Sequence, residues 1–347
     1  MKRLLINFTL LSSPLLLIMV LVNYNEDPAN LFTSTEKKMV EIVNQGFFVT
    51  NLTNYDERLH QLEFINALNY SPDVIILGSS RTMLINSNHF IDENLINNSV
   101  SSACINDIIA IYQIYKENNL QPKKIILGLD PWTFNENEIQ VGWKSIGPYY
   151  EKFYTPSAPL TNWNSIFKYK ELFSLSYFQS GLQEIISPTH KKRDKTPQAT
   201  HNKLNTTLTK LSDNSLIYNQ NYRDASEAEI LEKVKKYTAN QIYGLKNFNE
   251  ISNDIWKEFD MLMSEFKKNN IEVSFFLSPY HPKVYDVIEK DYLPVLKTEE
   301  KIIAFATKNN IKLYGSFNPF RLNMDSHYFY DGMHLKEKGI SKLLLHE

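Results

Sequence analysis

Two rhythms of hydrophobic and polar positions run through this chain. Short unbroken apolar stretches occur at Asp73–Leu77, Lys124–Leu127, Ile271–Leu277 and Ile311–Tyr314. Each is followed by a turn residue or pair, such as Gly78, Gly128 or Ser278 with Pro279. Runs of this length, rich in Ile and Val, predict strands buried on both faces, as in a parallel sheet. Between them the apolar positions step by three and four. Ile105, Ile108, Ile109, Tyr112 and Tyr115 predict a helix over Cys104–Asn119, closed by Pro122. Phe248, Ile251, Ile255, Phe259, Leu262 and Phe266 predict a long amphipathic helix. Another helix is expected over roughly 297–308, and His60, Leu62 and Ile65 belong to one that ends before Ser71 and Pro72. Strands and helices alternating in this way predict a three-layer α/β/α domain over 71–347 with a mainly parallel sheet.

The first residues carry a different pattern. Lys2 and Arg3 precede an almost wholly apolar run from Leu4 to Val22, and Glu26 and Asp27 follow it. About 19 residues at 1.5 Å each reach roughly 28 Å, near the thickness of a bilayer's hydrocarbon core. The charge asymmetry would leave the N-terminus in the cytoplasm and the remainder outside. No small-residue cleavage site follows the run. Residues 1–23 therefore read as an uncleaved signal anchor in the inner membrane, with a cleaved signal peptide as the alternative. Residues 24–70 read as a connector followed by a helix.

From about 135 to 245 the rhythm breaks. The stretch is rich in Tyr, Phe, Asn, Thr and Ser, contains Trp143 and Trp163, and holds the basic cluster Lys191, Lys192, Arg193 and Lys195. It reads as a large insertion, either a lid or substrate platform or a structural elaboration. Composition narrows the rest. A hydrophobic content of 43% and a charged content of 22% require a packed core. A net charge of −2 gives no electrostatic case for nucleic acid. The single cysteine, Cys104, excludes an intramolecular disulfide. No His, Asp and Glu spacing suggests a metal site, and no cofactor is implied.

The candidate chemistry lies in two short segments. Gly78, Ser79 and Ser80 end the first strand. Asp331 and His334 stand three residues apart in a Tyr-Asp-Gly-Met-His stretch near the other end of the chain. Together they offer a hydroxyl nucleophile, an imidazole base and a carboxylate to orient it, in the order Ser, Asp, His. Ligands of open α/β sheets bind at the carboxyl ends of strands, where these residues, Asp130 and the loop Ser278–His281 are all expected.

The Gly-Ser-Ser and Asp-x-x-His segments resemble those of the SGNH/GDSL hydrolase superfamily. With the N-terminal anchor, the chain resembles the members that accompany acyl transfer onto cell-envelope polymers, of the alginate O-acetylation or D-alanyl-lipoteichoic acid transfer type. The resemblance covers residues 73–134 and 271–345. It implies a flavodoxin-like fold, Ser80 as nucleophile, His334 as base and Asp331 as its orienter. Ser79 replaces the family's usual Asp and is the lesser candidate nucleophile. Ser102 stands where a glycine amide would serve the oxyanion. Asp130 stands where an Asn would donate to it, and such a donor is worth on the order of 3 kcal/mol. An ion pair of Arg81 with Asp130, turning a guanidinium toward the site, is the expected compensation. Trp132, Tyr280 and His281, with Ser79, are candidates to line the cleft. The resemblance further implies an exported esterase or O-acyltransferase working on an envelope glycan or related polymer. Transfer would draw on a polytopic membrane acyltransferase as partner. A non-catalytic envelope assembly or binding factor that keeps the fold is the alternative.

Overall fold

In the computed structural model the apolar runs form one five-stranded parallel sheet. The structure describes residues 2–345 except 29, 30, 33, 139, 161–167, 187–195 and 240. Trp163 and the basic cluster at 191–195 lie outside the described residues. The chain opens with α1 (Lys2–Glu26), α2 (Thr35–Asn44), β1 (Phe48–Thr50) and α3 (Glu57–Ala67). Then follow β2 (Val74–Leu77), β3 (Leu95–Asn97), α4 (Ile105–Glu117) and β4 (Lys124–Gly128). The insertion supplies α5 (Gly147–Tyr154) and α6 (Leu175–Ile186). It also supplies β5 (Gln198–Thr200), β6 (Thr209–Lys210), β7 (Leu216–Ile217), α7 (Gln220–Arg223) and α8 (Glu227–Ala239). The chain closes with α9 (Asn253–Lys268), β8 (Glu272–Leu277), α10 (Pro282–Asp291), α11 (Leu293–Asn309), β9 (Lys312–Gly315) and α12 (Glu337–Leu345).

The sheet order is β3-β2-β4-β8-β9, with every neighbouring pair parallel. Its strands sit between two apolar layers because successive side chains point to opposite faces. Ile75 and Leu77 join the larger core, which α4, α9 and α11 cover. Val74 and Ile76 join the smaller one, which α12 closes with Ile340, Leu343 and Leu344. All four β2 side chains have no exposed surface, each worth about 1.5–3 kcal/mol of burial.

Three features differ from the sequence expectation. The long helix α9 starts at Asn253 and not before Phe248, because Ser252 caps it and accepts from the Ile255 N–H. Strand β1, in the segment read as a connector, pairs antiparallel with β5 and β6 of the insertion in a second, four-stranded sheet ordered β5-β1-β6-β7. Lastly, α1 is helical throughout, but no helix among the described residues is long and apolar enough to cross a membrane. The expected membrane-spanning anchor at 4–22 is therefore unsupported. The C-terminal end of α1 packs on the insertion, where the Asn23 amide donates to the carbonyls of Glu171, Leu172 and Ser174 at 3.0–3.1 Å.

Candidate active site

At the carboxyl end of β2 the chain turns through Gly78, Ser79 and Ser80. Gly78 does not take a left-handed φ here. Space requires it: a Cβ would lie 2.6 Å from Thr82 Oγ1 and 3.1 Å from the Gly128 Cα. The ends of β2 and β4 thus meet glycine to glycine, with the Thr82 side chain wedged over both. Ser79 faces inward. It has no exposed surface, and its Oγ accepts from the Arg81 N–H at 3.2 Å. Ser80 faces the other way, and its Oγ lies 3.0 Å from His334 Nε2.

His334 sits on the segment between β9 and α12. Its Nδ1 lies 2.8 Å from Asp331 Oδ2. The other carboxylate oxygen, Oδ1, accepts the backbone N–H groups of Met333 and His334 at 2.8 and 2.9 Å. Asp331 is 3% exposed, so burial works to keep it protonated. The charge of His334 and the hydrogen bonds from His334, Tyr222 and Met333 outweigh burial and hold it well below the ordinary carboxylate range. An ionised Asp331 accepting from Nδ1–H leaves Nε2 as the free base facing Ser80.

Beneath this array Arg81 and Asp130 form the expected pair, with Nη1 donating to Oδ1 at 2.9 Å. The guanidinium does not turn toward the site as expected. Its side chain is 1% exposed. Nε donates to the Met333 carbonyl at 3.1 Å and Nη2 to the carbonyls of Pro279, at 2.9 Å, and Ser278. Arg81 therefore ties the His334 segment and the loop after β8 to the turn at Ser79 and Ser80.

The four residues expected to line a cleft are all buried. Besides Ser79, Trp132 is 2% exposed and donates its indole N–H to the Ala103 carbonyl. Tyr280 has no exposed surface, and its ring lies 4.2 Å from the Arg81 guanidinium carbon. His281 caps α10, its Nδ1 accepting from the Lys283 N–H at 3.2 Å. Burial first, then Lys283, lowers its pKa to about 4. These side chains follow strand ends in sequence, yet all four are buried in the core.

Ser102 has φ of +57°, the left-handed region that favours glycine. Its hydroxyl is held by the Tyr243 phenol, contributed by the far end of the insertion. Among the described residues, the backbone N–H groups of Ser80 and Ser102 make no hydrogen bond. Sequence reasoning missed the aromatic shell around Asp331 and His334. Tyr222 donates its hydroxyl to Asp331 Oδ2, the Tyr218 ring lies 6.1 Å from that of His334, and Tyr237 packs on Gly332. All three come from the insertion, where no spacing rule distinguishes them from the other tyrosines.

No protein-family model matches this chain, and no curated protein is recognisably similar to it.

Proposed function

We propose that this chain is an SGNH/GDSL-type serine esterase or O-acyltransferase acting on acyl esters of a cell-envelope polysaccharide or related polymer. One observation carries the reading: Ser80 Oγ, His334 Nε2, His334 Nδ1 and Asp331 Oδ2 form a continuous chain with links of 3.0 and 2.8 Å. Ser80 attacks an ester carbonyl while His334 takes its proton. The tetrahedral intermediate collapses as His334 returns that proton to the leaving alcohol, giving an acyl-Ser80. Water then completes hydrolysis, or a sugar hydroxyl completes transfer, with His334 again the base. The partnerless N–H groups of Ser80 and Ser102 suit a developing oxyanion. The Arg81 partner offsets the charge that Asp130 brings to a position where a neutral donor would serve better. Placement outside the cytoplasmic membrane rests on the N-terminal apolar run and its charge pattern, and a polytopic partner as acyl donor rests on the resemblance to envelope acyl-transfer proteins.

A non-catalytic assembly factor is favoured by one observation: the Asp130 carboxylate cannot donate and its Arg81 partner is buried with it. A serine-directed fluorophosphonate separates the two readings, with aryl-acetate turnover in parallel. For an enzyme, labelling and turnover are lost in both Ser80→Ala and His334→Ala, turnover by on the order of 10³-fold or more. Folded wild-type chain that neither labels nor turns over would favour the binding factor.

A further inference from the structure

Asp331 Oδ2 carries two donors, the His334 ring and the Tyr222 hydroxyl. Tyr222 lies on α7, a single turn capped by Asn219, whose side chain accepts from the Tyr222 N–H at 2.9 Å. Three groups hold its ring. Tyr218 lies at 4.9 Å and Tyr330 at 5.4 Å between ring centroids, and the Lys233 ammonium sits 3.8 Å from the ring centre. The hydroxyl is thereby delivered to one oxygen of one carboxylate, across more than a hundred residues of chain.

A carboxylate oxygen that accepts from two donors gives less to each. The carboxylate's hold on a protonated imidazole weakens when a neutral phenol takes part of its charge. Burial, and then the charge of Asp331, keeps the Tyr222 phenol above its ordinary range, so it remains a neutral donor through the working pH.

We propose that Tyr222 is a positioning residue for the Ser80–His334–Asp331 array. It fixes the Asp331 carboxylate and limits how strongly that carboxylate holds a proton on the His334 ring, which must accept one to act as the base. This rests on the hydrolase or acyltransferase reading above. It also gives the insertion a direct role, because the array is then completed from outside the parallel sheet.

The other groups facing Asp331 and His334 leave Tyr222 as the one to perturb. From the insertion, Tyr237 reaches Asp331 and Tyr218 covers the His334 ring, while Lys233 engages the Tyr222 ring and not the carboxylate. From the sheet side, Arg81 is committed to Asp130 and three carbonyls, and His281 stays neutral down to about pH 4. On the array's own segment the Tyr330 hydroxyl donates to Glu337 at 2.7 Å.

The test uses the full chain with isotope-labelled histidine, in wild type, Tyr222→Phe and His334→Asn, the last to assign the resonance. Phenylalanine keeps the ring packing and removes only the hydroxyl. The pH at which the His334 ring gains its proton is expected to rise by about one unit in Tyr222→Phe, with the other histidines unmoved. The acid limb of the kcat/KM profile for an aryl acetate moves the same way, so that turnover at pH 6 falls up to about tenfold while KM holds. A purely structural Tyr222 would leave both profiles in place. A His334 titration that stays put or moves down overturns the inference. Absence of Ser80-dependent labelling in wild type would instead defeat the enzymatic reading, and the histidine titration would still decide this one.

Discussion

Replacing Arg81 with alanine tests how the site is held together. Arg81 and Asp130 are 2% and 4% exposed, and the guanidinium is the only hydrogen-bond partner of the Asp130 side chain among the described residues. Removing it strands a buried carboxylate and deprives the carbonyls of Ser278, Pro279 and Met333 of their donors. Breaking a buried pair from one side costs about 3–5 kcal/mol, a large part of the 5–15 kcal/mol typical of a folded domain. Asp130→Ala is expected to cost less, about 2 kcal/mol, because Arg81 keeps three carbonyls and the Tyr280 ring face. The double variant removes both charges and should cost no more than Arg81→Ala alone, giving a coupling energy of about 2 kcal/mol. Urea unfolding followed by fluorescence of the four tryptophans measures all three. Arg81→Ala within about 1 kcal/mol of wild type, or costs that simply add, would refute the reasoning.

Two further outcomes follow from the same structure. Gly78→Ala places a methyl 2.6 Å from Thr82 Oγ1 against the backbone of Gly128. It should destabilise by about 1–3 kcal/mol through overpacking, with Thr82→Ala, which removes the clashing oxygen, partly relieving it, and a urea midpoint unchanged from wild type would exclude the close approach. His60 is wholly buried, its Nε2 2.8 Å from Asn214 Oδ1, and burial first, then the buried Lys210, lowers its pKa to about 3. A depressed histidine pKa means that the unfolded chain binds the proton first. Stability contributed by neutral His60 and His281 is thus complete above about pH 6.5 and declines as pH falls toward 4, by up to about 2.7 kcal/mol per unit. Glu36 and Glu299, whose pKa values burial raises, offset part of this slope. His60→Gln should remove about one proton from the slope between pH 6 and 5, and equal slopes in the two proteins would refute the assignment.

The strands that could be read from sequence are those buried on both faces, because burial removes polar residues from both sides of the pleat. β2, β4, β8 and β9 therefore stand out as apolar runs. β3 does not, since only Leu95, Ile96 and Asn97 pair before the polar stretch at 98–102. β1 and its partners were illegible for another reason. They are two or three residues long and find each other across some 150 positions, so neither periodicity nor a turn signal marks them. The packing of α1 was beyond sequence reading in a different way. Its apolar run was visible, but the fit of Asn23 onto the carbonyls around Glu171 depends on a fold of the insertion that no local pattern specifies.

The same division governs the site. Ser80, Asp331 and His334 could be paired from sequence because an Asp-x-x-His turn and a strand-end serine restrict one another: few folds bring both to one sheet edge. Proximity in sequence was a poor guide to their neighbours. Ser79, Trp132, Tyr280 and His281 adjoin strand ends and are buried, whereas Tyr222 lies far from every strand of the parallel sheet and reaches Asp331. Ser102 shows how a residue with a side chain can occupy a backbone conformation that glycine adopts freely. The left-handed turn costs about 1–2 kcal/mol in a residue with a Cβ, and the Tyr243 hydrogen bond supplies an offset that glycine could not receive. The insertion therefore reaches the array at two places, through Tyr243 on the Ser102 turn and through Tyr222 on Asp331. A segment with no recognisable pattern supports both the proposed oxyanion donor and the base's orienter, and variation in it would tune the chemistry without changing Ser80, Asp331 or His334.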